Sequence, residues 1–278
     1  MKSNFYLKSL LGALLLSLLN LLYQTIFTDL VFQGPEGLSY TLLSHFLVVC
    51  VLGIYVLHST LKGIRLALSV IVIYYIIGNF NLLIEAYIFN VTDRSKTLEE
   101  MLQGLFVALF FAPTFVYLLT AWKGQTPQMK FSGRSIFGWS WRIVIGMFLY
   151  LLFYLTAGMI LQTTYPGLMD FYKDKIPPID VMILTQFPRG LIFVTVAILM
   201  LRTSTLSLMK KAILIGLTYS ILGAIAPLIP PNELMPSNIR LVHGFEVGIS
   251  NFLYGILLSY LLGQKMAKPI AANTVLEQ

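Results

Sequence analysis

Eight long apolar runs dominate the sequence, and each of them contains at most one charged residue. A helix that crosses the hydrocarbon core of a bilayer needs about 20 mostly apolar residues, and the runs are close to that length. The pattern predicts an all-α fold, a polytopic transmembrane helical bundle of about eight spans. The predicted spans are 9–28, 39–58, 66–89, 101–122, 142–162, 181–201, 212–229 and 241–263.

Composition supports a lipid environment. The 278 residues are 57% apolar and 11% charged, whereas about a quarter of the residues of a soluble domain are charged. The mean hydropathy is +0.81. The net charge of +7 is spread over short clusters between the apolar runs, which argues against a nucleic-acid partner. The lipid bilayer is therefore the expected partner, and the oligomeric state is left open.

The distribution of lysine and arginine predicts the orientation. Thirteen of the 19 basic residues fall at the termini and in alternate loops, five in the other loops, and Arg189 within a span. Because basic residues accumulate on the cytoplasmic side, we expect both termini to be cytoplasmic. We expect an integral protein of the plasma (inner) membrane, with residues 1–264 as one membrane domain and 265–278 as a short cytoplasmic tail.

An internal repeat would relate the first four spans to the last four, as in many transporters. The third span is polar at Asn79, Asn81 and Glu85, whereas the seventh carries no charge. No repeat is evident from the sequence on this comparison.

Ionisable side chains inside the spans are the main functional signal. Such groups cost a few kcal/mol each in a membrane, so they face a cavity or a partner. Under the predicted topology they all lie within roughly 12 Å of the outer boundary, because a helix rises 1.5 Å per residue. These residues are His45, Glu85, Arg189, His243 and Glu246.

Helical spacing adds further polar residues to this set. Asn81 lies four residues before Glu85 and shares its face. The last span carries a polar stripe at helical intervals, which indicates that this face points into the bundle. The stripe consists of His243, Glu246, Ser250 and Tyr254.

The same residues allow several interpretations. They can simply tie helices together through ion pairs and hydrogen bonds. They can form an outward-facing pocket that binds or transports a small polar or ionic solute or protons, with a carboxylate exchanging a proton and Arg189 binding an anionic group. They can serve an intramembrane enzyme in which His243 and Glu246 act as acid and base on a lipid-linked or membrane-soluble substrate.

Two more interpretations remain open. An accessory subunit of a membrane complex is one of them, and a metal site is the other, since imidazole and carboxylate are suitable ligands for zinc or iron. The sequence does not identify a cofactor. The candidate metal ligands are His45, Glu85, His243 and Glu246.

The sixth span contains a proline beside its charge. Pro188 removes a helical hydrogen bond, and Gly190 permits close approach of a neighbouring helix. We expect a kink, or a broken helix that presents Arg189 to a cavity.

Overall fold

The computed structural model describes most of the chain. The described residues are 2–27, 34–91, 93–123, 133–165, 167, 173, 176–231 and 235–264. Most of the segment 168–175, most of the loop between the fourth and fifth spans, and the tail 265–278 lie outside them.

The described residues form eight helices that are long and apolar enough to cross a membrane, which confirms the predicted helical class and the number of spans. The single-domain assignment and the orientation of the termini stay predictions. The helices are α1 (Lys2–Phe27), α2 (Gly34–Leu57), α3 (Gly63–Ile88), α4 (Arg94–Thr120), α5 (Ile136–Thr164), α6 (Ile179–Thr203), α7 (Leu208–Leu228) and α8 (Ser237–Leu262).

Several helices begin earlier than predicted. The helix α4 starts at Arg94 because the Asp93 carboxylate accepts hydrogen bonds from the backbone N–H groups of Ser95 (2.8 Å) and Lys96 (3.3 Å). The helix α5 starts after Ser135, whose hydroxyl accepts from Gly138 N at 3.0 Å. Such caps satisfy the free donors of a first turn, so a helix can extend beyond its apolar run.

The helix α6 passes through Pro188 without interruption. The prediction of a broken helix at this point is therefore wrong. The interruptions lie elsewhere: α3 contains a π-helical segment at Ile76–Phe80, and α7 contains one at Ile221–Ile225. A π segment inserts an extra residue into a helical turn and changes the direction of every later side chain.

These two helices disclose an internal repeat, so the expectation of no repeat is wrong. In both, a 13-residue α-helical segment precedes a five-residue π segment. A Ser-Thr-Leu sequence stands one residue before each helix, at 59–61 and at 204–206. The sequence Tyr-x-Ile-x-Gly then recurs at 74–78 and 219–223.

Reciprocal contacts show that the two halves are related by an approximate twofold axis. Ser59 and Ser204 form an antiparallel bridge, in which Thr60 N donates to Thr203 O (2.6 Å) and Thr205 N donates to His58 O (2.8 Å). Since α1–α4 and α5–α8 start at the same end of the bundle, the axis runs along the helices.

A second pair of reciprocal contacts lies deeper in the bundle. Gly78 packs against Leu222, and its counterpart Gly223 packs against Ile77. The two π segments thus lie against each other across the axis. Equivalent helix pairs also repeat, because α1 contacts α2 and α4 as α5 contacts α6 and α8.

The bundle surface is apolar, as the composition requires. Large apolar side chains, mostly leucine, isoleucine and phenylalanine, are exposed along the length of the helices. A soluble monomer rarely exposes so extensive an apolar surface, whereas lipid tails cover it without cost. Polar side chains gather inside the bundle instead.

Candidate functional site

The central feature of the site is an ion pair between two halves of the molecule. Arg189 on α6 is 5% exposed, and its Nη1 atom donates a hydrogen bond to Oε2 of Glu85 in the last turns of α3. The Glu85 side chain retains 25% exposure. Two opposite charges in a poorly hydrated interior hold each other in place, because either one alone would be costly there.

Other groups complete the coordination of this pair. Arg189 Nε donates to the backbone oxygen of Asn81 at 3.1 Å, and Nη1 also donates to Gln186 Oε1 at 2.9 Å. The second carboxylate oxygen of Glu85 accepts from the Tyr154 hydroxyl at 2.7 Å. Three helices, α3, α5 and α6, therefore contribute to one network.

The π segment at Ile76–Phe80 sets the direction of Asn81 and Glu85. These residues follow it directly, and they lie four apart on one face of α3. If the same residues formed a regular α-helix, Asn81 and Glu85 would each be rotated by about 100° around the helix axis. Such π segments often occur at functional sites.

The network contains polar atoms that lack hydrogen-bond partners. Within the described chain, both amide atoms of the Asn81 side chain and Nε2 of Gln186 are buried and make no hydrogen bond. Asn81 is 1% exposed and Gln186 is 0% exposed. An unsatisfied buried polar group costs about 1–3 kcal/mol, so a bound polar ligand beside Arg189 would remove a penalty here.

Tyrosine rings line the inner side of the ion pair. The Arg189 guanidinium carbon lies 5.7 Å from the ring centroid of Tyr150. The Tyr150 ring packs at 5.4 Å against the predicted site residue Tyr254, whose hydroxyl donates to Gly146 O at 3.1 Å. Tyr254 thus supports the wall of the site, and the Arg189 contacts come from other residues.

The polar stripe on α8 lies on the same side of the bundle as the Glu85–Arg189 pair. His243 Nδ1 is 3.3 Å from Glu246 Oε2, so the two form an ion pair when the imidazole is protonated. Tyr150 is within electrostatic reach of Glu246 as well as of Glu85 and Arg189. The half-buried Ser250 follows Glu246 one turn later.

His45 lies apart from this group. Its Nδ1 atom is 2.7 Å from the Ser17 hydroxyl on α1, which itself donates to Ala13 O at 2.9 Å. The neighbouring Ser44 donates to Ala226 O at 2.7 Å. Through the internal repeat, this bond is the counterpart of the bond from Arg189 to the backbone of Asn81. His45 therefore belongs to the region that the twofold axis relates to the ion-pair site.

Among the described residues, that equivalent region lacks the charged pair. Ser44 stands in the place of Arg189 and Pro230 in the place of Glu85. The nearby polar contact joins Gln103 and Asn20, with Nε2 donating to Oδ1 at 3.1 Å. Neutral side chains therefore replace the charged pair at the equivalent positions.

The candidate metal ligands do not form one centre. Across the part of the chain that the structure describes, no three histidine, cysteine, aspartate or glutamate side chains come close enough to hold a metal ion. His45 lies against Ser17, Glu85 against Arg189, and His243 against Glu246.

Two site residues were missed by sequence reasoning. Tyr154 lies in a long apolar helix, where a tyrosine is ordinarily a packing residue, and no spacing distinguishes it. Gln186 precedes Arg189 by three residues, so helical spacing could have identified it as a neighbour.

No protein-family model matches the chain, and neither a curated protein nor a solved structure is significantly similar to it. Any conclusion about function must therefore rest on the geometry of the site.

Proposed function

We propose that this protein is a membrane carrier that binds a small anionic solute at Arg189 and exchanges a proton at Glu85. The observation that supports this most directly is the buried ion pair beside the unsatisfied amides of Asn81 and Gln186. An ion pair that served only to hold helices together would not require unused donors and acceptors around it.

The ion pair provides a simple means of coupling. While Glu85 is ionised, it neutralises Arg189 and competes with an anionic ligand for the guanidinium. Once Glu85 is protonated, the charge of Arg189 is available to a carboxylate or a similar anion. A proton and a monovalent anion then occupy the site together, and the net charge in the membrane interior stays unchanged.

Transport in reconstituted vesicles tests the proposal. Purified protein is inserted into liposomes that contain a pH dye, and gradients of small monocarboxylates such as acetate and lactate are applied at a pH where their free acids are scarce. We expect internal acidification above that of protein-free vesicles. Glu85→Gln is expected to abolish it, while Glu99→Gln, at an exposed position of α4, leaves it unchanged. Equal flux in wild type and Glu85→Gln would refute proton coupling at this site.

The orientation of the chain belongs to the same proposal. We propose that both termini face the cytoplasm, which places the Glu85–Arg189 pair in the outer half of a plasma (inner) membrane. Green fluorescent protein fused after residue 278 is expected to fluoresce, and alkaline phosphatase fused there is expected to be inactive. The opposite pair of results would reverse the topology.

An enzyme is the second candidate, and the contact between His243 and Glu246 favours it. An imidazole beside a carboxylate can act as acid and base on a membrane-soluble substrate. Incubation with a lipid extract, followed by mass spectrometry, would reveal new products that disappear with His243→Gln. Products that are unaffected by the substitution would exclude this pair. An accessory role instead predicts a partner that co-purifies with the wild-type protein.

A further inference from the structure

One end of the bundle is strongly basic, and it lies opposite the ion pair. This basic end comprises the start of α1, the end of α8 and the links α2–α3, α4–α5 and α6–α7. In the described chain it carries many cations, while the described carboxylates all lie toward the other end. Those carboxylates are Glu36, Glu85, Asp93, Glu99, Glu100, Asp180 and Glu246.

A cavity of about 400 Å³ opens at the basic end between α5, α6, α7 and α8. Trp139, Arg202 and Lys211 supply its polar groups and an indole ring. Its remaining walls are largely apolar and include Ile198 and Leu262. The cavity thus combines positive charge, an interfacial tryptophan and a surface suited to hydrocarbon.

Arg202 lines this cavity, and Arg134 and Arg142 lie close enough to interact with it or with each other. The guanidinium carbons of Arg134 and Arg202 lie 4.6 Å and 5.7 Å from the ring centroid of Trp139. That of Arg142 lies 4.0 Å from the ring centroid of Trp141. Arginine stacks on indole through cation–π attraction, and its N–H groups, which lie in the guanidinium plane, can then donate hydrogen bonds to other groups.

The described acceptors of two of these arginines are backbone carbonyls. Arg134 donates to Leu262 O (3.0 Å) and Gly263 O (2.7 Å), and Arg142 donates to Leu261 O at 3.1 Å. Burial, and then the charges of Arg142 and Arg202, lower the pKa of Arg134. Mutual repulsion at this point is a cost that a bound anion would remove.

We propose that this cavity binds the phosphate of an anionic phospholipid headgroup, with the guanidinium groups around Trp139 as its ligands. Arginine binds phosphate through parallel N–H donors, and basic clusters at the membrane surface attract anionic lipid. The acyl chains then follow the apolar wall at Ile198. The site is independent of the Glu85–Arg189 pair.

The internal repeat supplies a natural comparison. A second cavity of about 700 Å³ lies at the equivalent place in the first half, lined by Lys62, Arg65, Trp122 and Lys123. Its three bases are exposed, and no arginine cluster surrounds its tryptophan in the described residues. The second cavity thus attracts anions only through separate exposed bases, whereas the Trp139 cavity has clustered arginines that can bind a phosphate group together.

Lipid binding to the full-length protein in dodecyl maltoside tests the inference. Phosphatidylglycerol is titrated against the wild type, and the bound lipid is counted by native mass spectrometry. We expect tighter binding than for phosphatidylcholine. Arg134→Gln with Arg202→Gln is expected to weaken phosphatidylglycerol binding by more than about tenfold. The Arg134→Lys, Arg202→Lys pair is expected to restore only part of it, because lysine keeps the charge but lacks the parallel N–H donors.

Matched variants and ligands distinguish the alternatives. Lys62→Gln with Arg65→Gln, at the second cavity, is expected to change the affinity of the tight site by less than about twofold. If inorganic phosphate at equal concentration displaces the lipid, the site is one for free phosphate and the lipid assignment is wrong. Equal affinity for the two lipids would also overturn it. Should the double glutamine variant fail to purify, Arg202→Gln alone, at an exposed position, must still weaken binding severalfold.

Discussion

At the scale of residues, the distinguishing feature is the distribution of hydrogen bonds around Arg189. Its charge is matched by Glu85, while Asn81 and Gln186 contribute only part of their hydrogen-bonding capacity. In this site the two charges neutralise each other, and neighbouring buried amide atoms still lack hydrogen-bond partners. That pattern is the one expected of a binding site. The unpartnered amide atoms of Asn81 and Gln186 are therefore stronger evidence for ligand binding than the ion pair is.

Removing one member of this pair should be more damaging than removing both. Glu85→Gln leaves the Arg189 charge buried without its partner, and breaking a buried pair in this way costs about 3–5 kcal/mol. The double substitution Glu85→Gln, Arg189→Gln removes both charges and should restore part of the loss. Thermal unfolding in detergent measures the three variants. Glu99→Gln serves as the control, with a change within about 0.5 kcal/mol. Strictly additive losses would indicate that the two side chains do not interact.

At the scale of elements, close helix contacts depend on glycine. A Cβ added at Gly255 in α8 would lie 2.8 Å from Gly216 Cα and 2.9 Å from Gly216 N, both backbone atoms of α7. Small residues permit such approach between membrane helices, where packing rather than hydrophobic burial drives association. The contact holds α7 and α8 together beside the Tyr254 wall of the site.

Gly255→Ala is therefore expected to destabilise the protein by about 1–3 kcal/mol, the usual cost of overpacking, because the backbone of α7 must move. The matched control is Gly158→Ala in α5, where an added Cβ meets nothing within 4 Å. That substitution should be neutral or stabilising by up to about 1 kcal/mol, since alanine favours helix. Thermal unfolding of both variants provides the comparison, and equal losses would argue against close α7–α8 packing.

The π segment of α3 yields a second prediction at this scale. Deletion of Ile76 removes the extra residue and returns the segment to α-helical geometry, so Glu85 keeps its direction toward Arg189. Insertion of one alanine between Phe80 and Asn81 instead turns Glu85 by about 100°, away from Arg189. Adding Glu85→Gln should therefore cause its full loss of stability in the deletion variant and little further loss in the insertion variant, where the interaction is already absent. Thermal unfolding in detergent measures these variants, and a full additional loss in the insertion variant would contradict this expectation.

At the scale of the whole molecule, two similar halves meet around an axis but differ in chemistry. The axis passes through the Ser59–Ser204 bridge and the facing π segments. The charged network uses Glu85 from the first half and Arg189 from the second. Its counterpart contains Pro230 and Ser44 at the equivalent places. Under the proposed carrier function, this asymmetry predicts one charged solute per chain.

A disulfide across the axis tests this arrangement. Paired residues of an antiparallel bridge have Cα atoms about 4.5–5.5 Å apart, within the range that a disulfide spans. In a Cys50→Ala background, Ser59→Cys with Ser204→Cys should oxidise readily. After cleavage at a protease site inserted between residues 124 and 132, the halves should stay joined until reduced. Each single cysteine variant is the control, and separation of the halves without reductant would contradict the twofold arrangement.

The spans and one face of α3 could be predicted from the sequence, whereas the partner of Arg189 could not. The number of spans and their helical nature depend on apolar length, which is a local property that adds along the chain. The shared face of Asn81 and Glu85 likewise depends only on helical spacing. For Arg189, however, Glu85 and Glu246 were equally acceptable partners by depth. His45 was grouped with them by depth alone, yet it lies against Ser17 in the symmetry-related region, away from the ion pair.

Apolar length and composition were enough to establish an eight-span helical membrane protein with ionisable residues inside its spans, because the cost of exposing polar groups to lipid acts on each segment separately. Which of those residues meet depends on the tertiary structure. Convergence requires a particular order of helices around the bundle and a particular rotation of each. A π segment in place of regular α-helix of the same length rotates every later side chain by about 100°. Pairing through the twofold axis joins residues far apart in the chain, and no spacing within a single helix encodes it.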